Sequence, residues 1–221
     1  MNGLDLSGNG FGPKSLALIA NFLSTHKTIT ILNLGNNSFD DESVKTFKNA
    51  VGKNKTLEEL SLASTNITLS TKTQRSLLLN DKLLHVDLSG NKLQTNGTKL
   101  MIKHLKKNPP LSILTLVGCS LSSKSAEGLC NALKRNTNLA HLDLRGNNFN
   151  SKAVPFFVDA LRNNSTLLTL NMSSNNMKIM ERKNLIRRAL CDPTSLQTIA
   201  ESNHTCLVTL NKGNNGWVLM V

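Results

Sequence analysis

The sequence predicts a curved α/β solenoid, a leucine-spaced stack in which short strands build one parallel sheet on the concave face and helices cover the convex face. Three observations predict it. An eleven-residue pattern, clearest in LAHLDLRGNNF at 139–149, sets apolar residues at Leu139, Leu142, Leu144 and Phe149 and an asparagine at Asn147. It recurs from Met1, Ile29, Leu57, Leu83, Leu111, Leu139 and Leu167, at intervals of 28, 28, 26, 28, 28 and 28 residues, and a fixed period in this range marks stacked supersecondary units. Within each copy the second and third apolar places alternate with polar ones at a period of two, while the second half of the copy follows a helical period. Strands pair about 4.8 Å apart whereas packed helices need about 8–10 Å, so such a stack curves with its sheet inside.

The strands come first in each unit. Their outward residues are Asp5, Asn33, Ser61, Asp87, Thr115, Asp143 and Asn171 at one place, with His85, Ile113, His141 and Thr169 at another. The asparagine that follows is expected where the chain leaves the strand, bonding backbone groups that the turn leaves unpaired; losing such a buried bond costs about 1–3 kcal/mol. Cys119 and Thr65 replace it in two copies. The thiol can serve in part as a weak donor, and the threonine reaches less far. Helical faces follow at Leu16, Ile19 and Leu23, at Val44, Phe47 and Val51, at Ala126, Leu129 and Leu133, and at Val154, Phe157 and Leu161, with Ser15, Ser43 and Ser125 near the starts. Two residues are missing between Ile67 and Leu83, so that helix is expected to be shorter or irregular.

These copies resemble the ribonuclease-inhibitor-like class of leucine-rich repeats, over residues 1–195. The resemblance implies a horseshoe that uses its concave face for protein partners. The remaining residues, 196–221, are expected to form a divergent terminal unit and tail: Leu196 and Ile199 occupy the first two apolar places, but Glu201 takes the third. That ending, with its SNHTC run at 202–206, is loosely similar to leucine-rich repeat proteins of algae and related protists. A hairpin is expected around 212–216, and the apolar end Trp217–Val221 needs cover. Met1 falls on the first apolar place with nothing before it, which suggests a truncated or unusual start.

Composition fits a repeat protein. The 221 residues are 39% apolar, with seven Phe, one Trp and no Tyr, as thin layers filled by Leu and Ile require. No run approaches the roughly 18 apolar residues of a membrane helix, and the N-terminus shows no apolar leader. Cys119, Cys130, Cys191 and Cys206 match no zinc or redox spacing and are expected to be reduced and buried. The protein is therefore expected in the cytoplasm, with the nucleus as the alternative. The Asn-x-Ser/Thr matches, Asn54 and Asn164 among them, are read as a product of an asparagine-rich repeat.

Function is expected on surfaces. The first expectation is a non-catalytic, monomeric scaffold that binds a protein partner through His85, Asp87, Thr115, His141, Asp143, Arg145 and Asn171. His85 with Asp87, and His141 with Asp143, share a face, but the pairs lie two repeats apart, about 10 Å at the spacing of paired strands, too far to share one metal. No phosphate-binding glycine loop, zinc helix or serine elbow is present, so neither catalysis nor a cofactor is expected. The net charge of +12 provides the alternative, polyanion or nucleic-acid binding by the basic helical side, with Arg182, Lys183, Arg187 and Arg188 as the densest group. No aromatic residues interleave with these charges as stacking platforms. Ran GTPase-activating proteins carry the same repeat class, which keeps regulation of a small GTPase as a further alternative; fold similarity alone does not transfer it.

Overall fold

The computed structural model describes residues 2–69, 80–178 and 206–209. The sequence expectations for Met1, the 70–79 stretch, Arg182, Lys183, Arg187, Arg188, Cys191, Leu196, Ile199, Glu201 and the 212–221 tail lie outside these residues.

Eight strands appear in chain order: β1 (Gly3–Asp5), β2 (Ile31–Asn33), β3 (Glu59–Ser61), β4 (His85–Asp87), β5 (Ile113–Thr115), β6 (His141–Asp143), β7 (Thr169–Asn171) and β8 (Leu207–Thr209). Each pairs in parallel with the next, and they form one sheet of order β1 to β8. Successive strands are joined through a crossover, as parallel pairing requires. Five crossover helices are described, α1 (Pro13–Thr25), α2 (Asp41–Lys53), α3 (Thr95–Leu105), α4 (Ala126–Leu133) and α5 (Val154–Arg162). The predicted fold class is the observed one, a leucine-rich-repeat solenoid. Because helices demand more room than strands, the sheet lines the concave side.

The register follows the repeat from β1 to β7, whereas β8 continues the row at Val208 and not at Ile199, the place the apolar pattern of the terminal unit marked. Leu4, Leu32, Leu60, Val86, Leu114, Leu142, Leu170 and Val208 form one row across all eight strands. From Leu32 onward this row is buried, and it joins the helical faces in one continuous core that runs from Leu16 to Val208. Leu16, Phe47, Val51, Ala126, Leu129, Phe157 and Leu161 are all buried as their helical spacing predicts, while Val154 is partly covered. Phe149 and Phe157 meet edge to face with centroids 5.5 Å apart, joining a turn to a helix.

Ser15 and Ser43 fall in the first turns of α1 and α2, and Ser125 immediately precedes α4, near the helix starts as their spacing predicts. At α2 the cap is Asp40, whose carboxylate accepts from the Ser43 N–H at 2.8 Å. At α1 the chain enters through Gly12 with Pro13 at the first helical position, where a missing N–H costs nothing. Single 3-10 turns, Ser123–Ser125 and Ser151–Ala153, lead into α4 and α5.

Two polar rows hold the layers in register. In the first, Asn37, Asn91, Asn147 and Asn175 each donate across the stack: the Asn91 amide reaches Leu62 O of the previous repeat at 2.7 Å and Leu88 O of its own at 2.9 Å, and Asn147 and Asn175 repeat this with Leu116 and Leu144 of the preceding repeats. Their Oδ1 atoms accept from backbone N–H groups of the preceding turn, those of Phe11, Thr65, Leu121 and Phe149. The Cys119 thiol still reaches back to Leu88 O at 3.2 Å, but Thr65 bonds only within its own repeat, to Leu62 O at 2.7 Å. Neither side chain replaces the lost acceptor. At both places the backbone does: Phe39 N–H donates to Thr65 O and Leu93 N–H to Cys119 O, at 3.3 and 3.2 Å.

The second row was not foreseen. Asn54, Asn80, Asn136 and Asn164 stand three residues before the leading leucine of the next copy, and each donates to the C-terminal carbonyls of the preceding crossover, from Leu23, Val51, Leu105 and Leu133 respectively. Their Oδ1 atoms accept from N–H groups two or three residues onward. These are the orphan carbonyls that every helix end must satisfy. Asn108 occupies the same place but is followed by Pro109 and Pro110, so the N–H two residues on is missing. Its backbone adopts φ +53 instead, and its amide exchanges two bonds with Thr137.

Candidate partner-binding face

The concave surface is built from the strand residues that flank the buried row. One row reads Gly3, Ile31, Glu59, His85, Ile113, His141, Thr169 and Leu207, and the other Asp5, Asn33, Ser61, Asp87, Thr115, Asp143, Asn171 and Thr209. From β3 to β8 every one of these residues is half-buried. His85, Asp87, Thr115, His141, Asp143 and Asn171 therefore stand together on the four adjacent strands β4–β7, and Arg145 follows β6 on the turn. The two histidines are separated by β5, at about twice the strand spacing of 4.8 Å.

His85, Asp87, His141, Asp143, Arg145 and Asn171 each have a side-chain partner within the fold. Asp5, Asn33, Asp87, Asp143 and Asn171 each accept, through Oδ1, the N–H two residues onward at 2.8–3.1 Å. This bond starts the exit turn, and the residue three after the strand end is left-handed in all seven copies: Gly8, Asn36, Ser64, Gly90, Gly118, Gly146 and Ser174, with φ between 54 and 69. Glycine and asparagine at this place avoid the penalty that a Cβ meets there. The SGN and RGN runs are thus the chemistry of the turn, and the row of Asp and Asn is partly occupied in holding it. Sequence spacing revealed the row but not this bond.

The histidines pair sideways along the stack. His85 Nδ1 lies 3.4 Å from Glu59 Oε2 on β3, and His141 Nδ1 lies 2.9 Å from Thr169 Oγ1 on β7. Neither is engaged with the aspartate of its own strand. Arg145 folds back on Asp143, its Nε 2.8 Å from Oδ2 and a terminal nitrogen at the same distance, a two-point contact. Glu59, absent from the predicted set, belongs to this face; its signal was its place in the same row, one repeat before His85.

The charge of the face differs from that of the chain. Its strand-borne charges are Asp5, Glu59, Asp87 and Asp143 besides the two histidines, and none of the described strands carries lysine or arginine, although the chain has 26 Lys and Arg against 14 Asp and Glu. The described cations therefore lie on the turns and the helical side. Among the described residues no three His, Cys, Asp or Glu converge to hold a metal ion, and no helix is long and apolar enough to cross a membrane.

The fold and this face define the class, a leucine-rich-repeat solenoid with an open sheet surface. The sequence model of the Leucine Rich repeat family matches the chain over residues 25–48 and 135–154, which contain β2 and β6. No curated protein sequence matches the chain. Among solved structures, leiomodin-1 actin-binding site 2 is similar at a TM-score of 0.29 and 16% identity, over 85% of this chain and 80% of that one. The mouse RP105/MD-1 complex is similar at a TM-score of 0.40 and 18% identity, over 84% of this chain and 35% of that chain.

Proposed function

We propose that the chain is a non-catalytic interaction scaffold whose concave face binds a protein partner through a basic docking surface. The segregation of charge carries this reading: a chain of net charge +12 presents acidic residues and histidines alone on its described strands. Complementary potential steers encounter and rejects partners of the wrong sign. With no tyrosine in the chain and no aromatic residue in the described strands, the face lacks the large anchors that dominate many interfaces, so its recognition is polar and its affinity falls with salt.

The residues assigned to contact are Glu59, His85, Asp87, Thr115, His141, Asp143, Arg145 and Asn171. A small-GTPase partner gains no particular support from Arg145, since its guanidinium is closed onto Asp143. The ribonuclease-inhibitor-like subtype is supported by the 28-residue unit with a helix in each fully described crossover. A reducing, intracellular setting is supported by Cys119 and Cys130, which are free and buried.

The test uses substitutions that spare the turns. Asp87→Asn and Asp143→Asn keep the Oδ1 acceptor, as Asn33 and Asn171 show, and Glu59→Gln with His141→Gln removes the third carboxylate of the β3–β6 strands and the His141 contact with Thr169. Proteins captured from native lysate by the chain and lost with this fourfold variant, with nuclease present throughout, support the face as the site. An identical captured set with both overturns it.

A further inference from the structure

A groove of about 710 Å³ runs between α3 and α4 on the side of the molecule away from the concave face, within the range of small-molecule sites, about 300–1,000 Å³. One wall is a stripe of α3 and its lead-in, Lys92, Thr95, Lys99, Ile102 and Lys106; the other comes from the following repeat, with Ser122 and Lys124. Positions 95, 99, 102 and 106 recur at helical spacing, which places them on one side of α3. Four lysines line the groove and no carboxylate does. None of the four is ion-paired among the described residues.

Gly128 adds to the width of the groove. Gly128 forms part of its lining, and a Cβ there would lie 3.4 Å from Ile102 Cδ1. The corresponding places of other repeats hold Leu18, Thr46, Leu100 and Phe156, side chains large enough to enter this space. Only in this repeat does a described crossover helix leave the position bare, and four lysines line the same groove.

We propose that this groove is a binding site for a compact, multiply charged phosphate of the triphosphate class. Lys99 and Lys106 stand seven residues apart, about 10 Å along the α3 side, and share with Lys124 of the other wall a groove that no carboxylate lines; a ligand carrying several negative charges close together can engage them at once, and lysine binds phosphate as a point charge. The apolar floor of Leu93, Ile102 and Leu121 leaves room for an organic group attached to the phosphates. An extended polyanion would instead follow lysines wherever they lie on the helical side.

Calorimetric titration of the whole chain with tripolyphosphate at 0.15 M salt tests the assignment, with ATP and hexaglutamate as separate arms. Saturable one-to-one binding of tripolyphosphate is expected, weakened at least tenfold by Lys99→Glu with Lys106→Glu and by Gly128→Phe, and unchanged by Lys14→Glu with Lys152→Glu on other repeats. Tighter ATP binding identifies a nucleotide as the source of the phosphates, and equal binding identifies the phosphate chain alone. Gly128→Phe retains every charge, and circular dichroism confirms that each variant is folded. Absence of binding, equal loss in the control pair, equal affinity for hexaglutamate, or full affinity in Gly128→Phe would overturn the proposal.

Discussion

Replacing Asn91 with alanine tests the cross-repeat asparagine row where it carries most. Asn91 is fully buried and its Oδ1 accepts two backbone bonds, from Thr65 N–H and Ile67 N–H, both at 3.0 Å. Its amide donates to Leu62 O and Leu88 O. The carbonyls survive the substitution, because Leu62 O still accepts the Thr65 hydroxyl and Leu88 O the Asn91 N–H. The two N–H groups do not, since Oδ1 is their partner. At about 1–3 kcal/mol for each buried donor left unpaired, Asn91→Ala is expected to cost about 2–6 kcal/mol. Thr65→Ala removes one hydroxyl donor from a carbonyl that keeps Asn91 and leaves no donor unpaired, so it is expected to cost about 1 kcal/mol. Urea unfolding of both variants, with hydrogen exchange read at the Thr65 and Ile67 amides, separates them. Equal losses in the two variants, or undiminished protection of those amides in Asn91→Ala, would refute the reasoning.

Gly97 in α3 lies against the Thr68 carbonyl so closely that a Cβ would overlap it; Gly97→Ala is expected to lower stability by about 2 kcal/mol or more, since backbone must move, and an unchanged melting temperature would contradict this. Burial, with Lys107 nearby, lowers the His104 pKa from 6.5 to about 4. The unfolded chain then takes up a proton that the native state refuses, so stability is lost as pH falls from 6.5 toward 4, by about 1–3 kcal/mol. His104→Leu should flatten that part of the acid limb, and a limb of unaltered slope would remove His104 as its cause. Burial pushes the Cys119 and Cys206 thiols up to about 12 and raises Cys130 as well. Their alkylation by iodoacetamide at pH 8 should require unfolding, and stability should fall as pH rises above the unfolded value of about 9; rapid labelling of these three in the native protein would be the contrary result.

Much of the architecture was legible because burial is periodic. Leu142 and Leu144 alternate with polar, half-buried neighbours, and Phe157 and Leu161 recur at helical spacing, so strand, helix and curvature follow from patterns within one copy and from their repetition. The concave rows were legible for the same reason: a residue one step from a buried strand position points the other way. His85, Asp87, His141 and Asp143 accordingly fall where the pattern put them, and the sequence also marked Cys119 and Thr65 as the defective steps of the asparagine row.

Partners were not legible, because the bonds that matter span adjacent copies. Asn80 reaches Val51, His85 meets Glu59 and Asn164 reaches Leu133, and each contact depends on how one layer is set on the next. Local pattern cannot distinguish an aspartate displayed to solvent from one that holds the next turn, as Asp87 and Asp143 do. Nor could it show that a glycine in α4 lines one groove with Lys92, Lys99, Lys106 and Lys124, since that requires two helices brought side by side. The sequence by itself determined the repeat, the core and the surfaces on offer, through the periodicity of apolar residues. The tertiary structure alone decided which polar groups are engaged, where charge of each sign collects and where the helical side is open, because stacking register sets those distances.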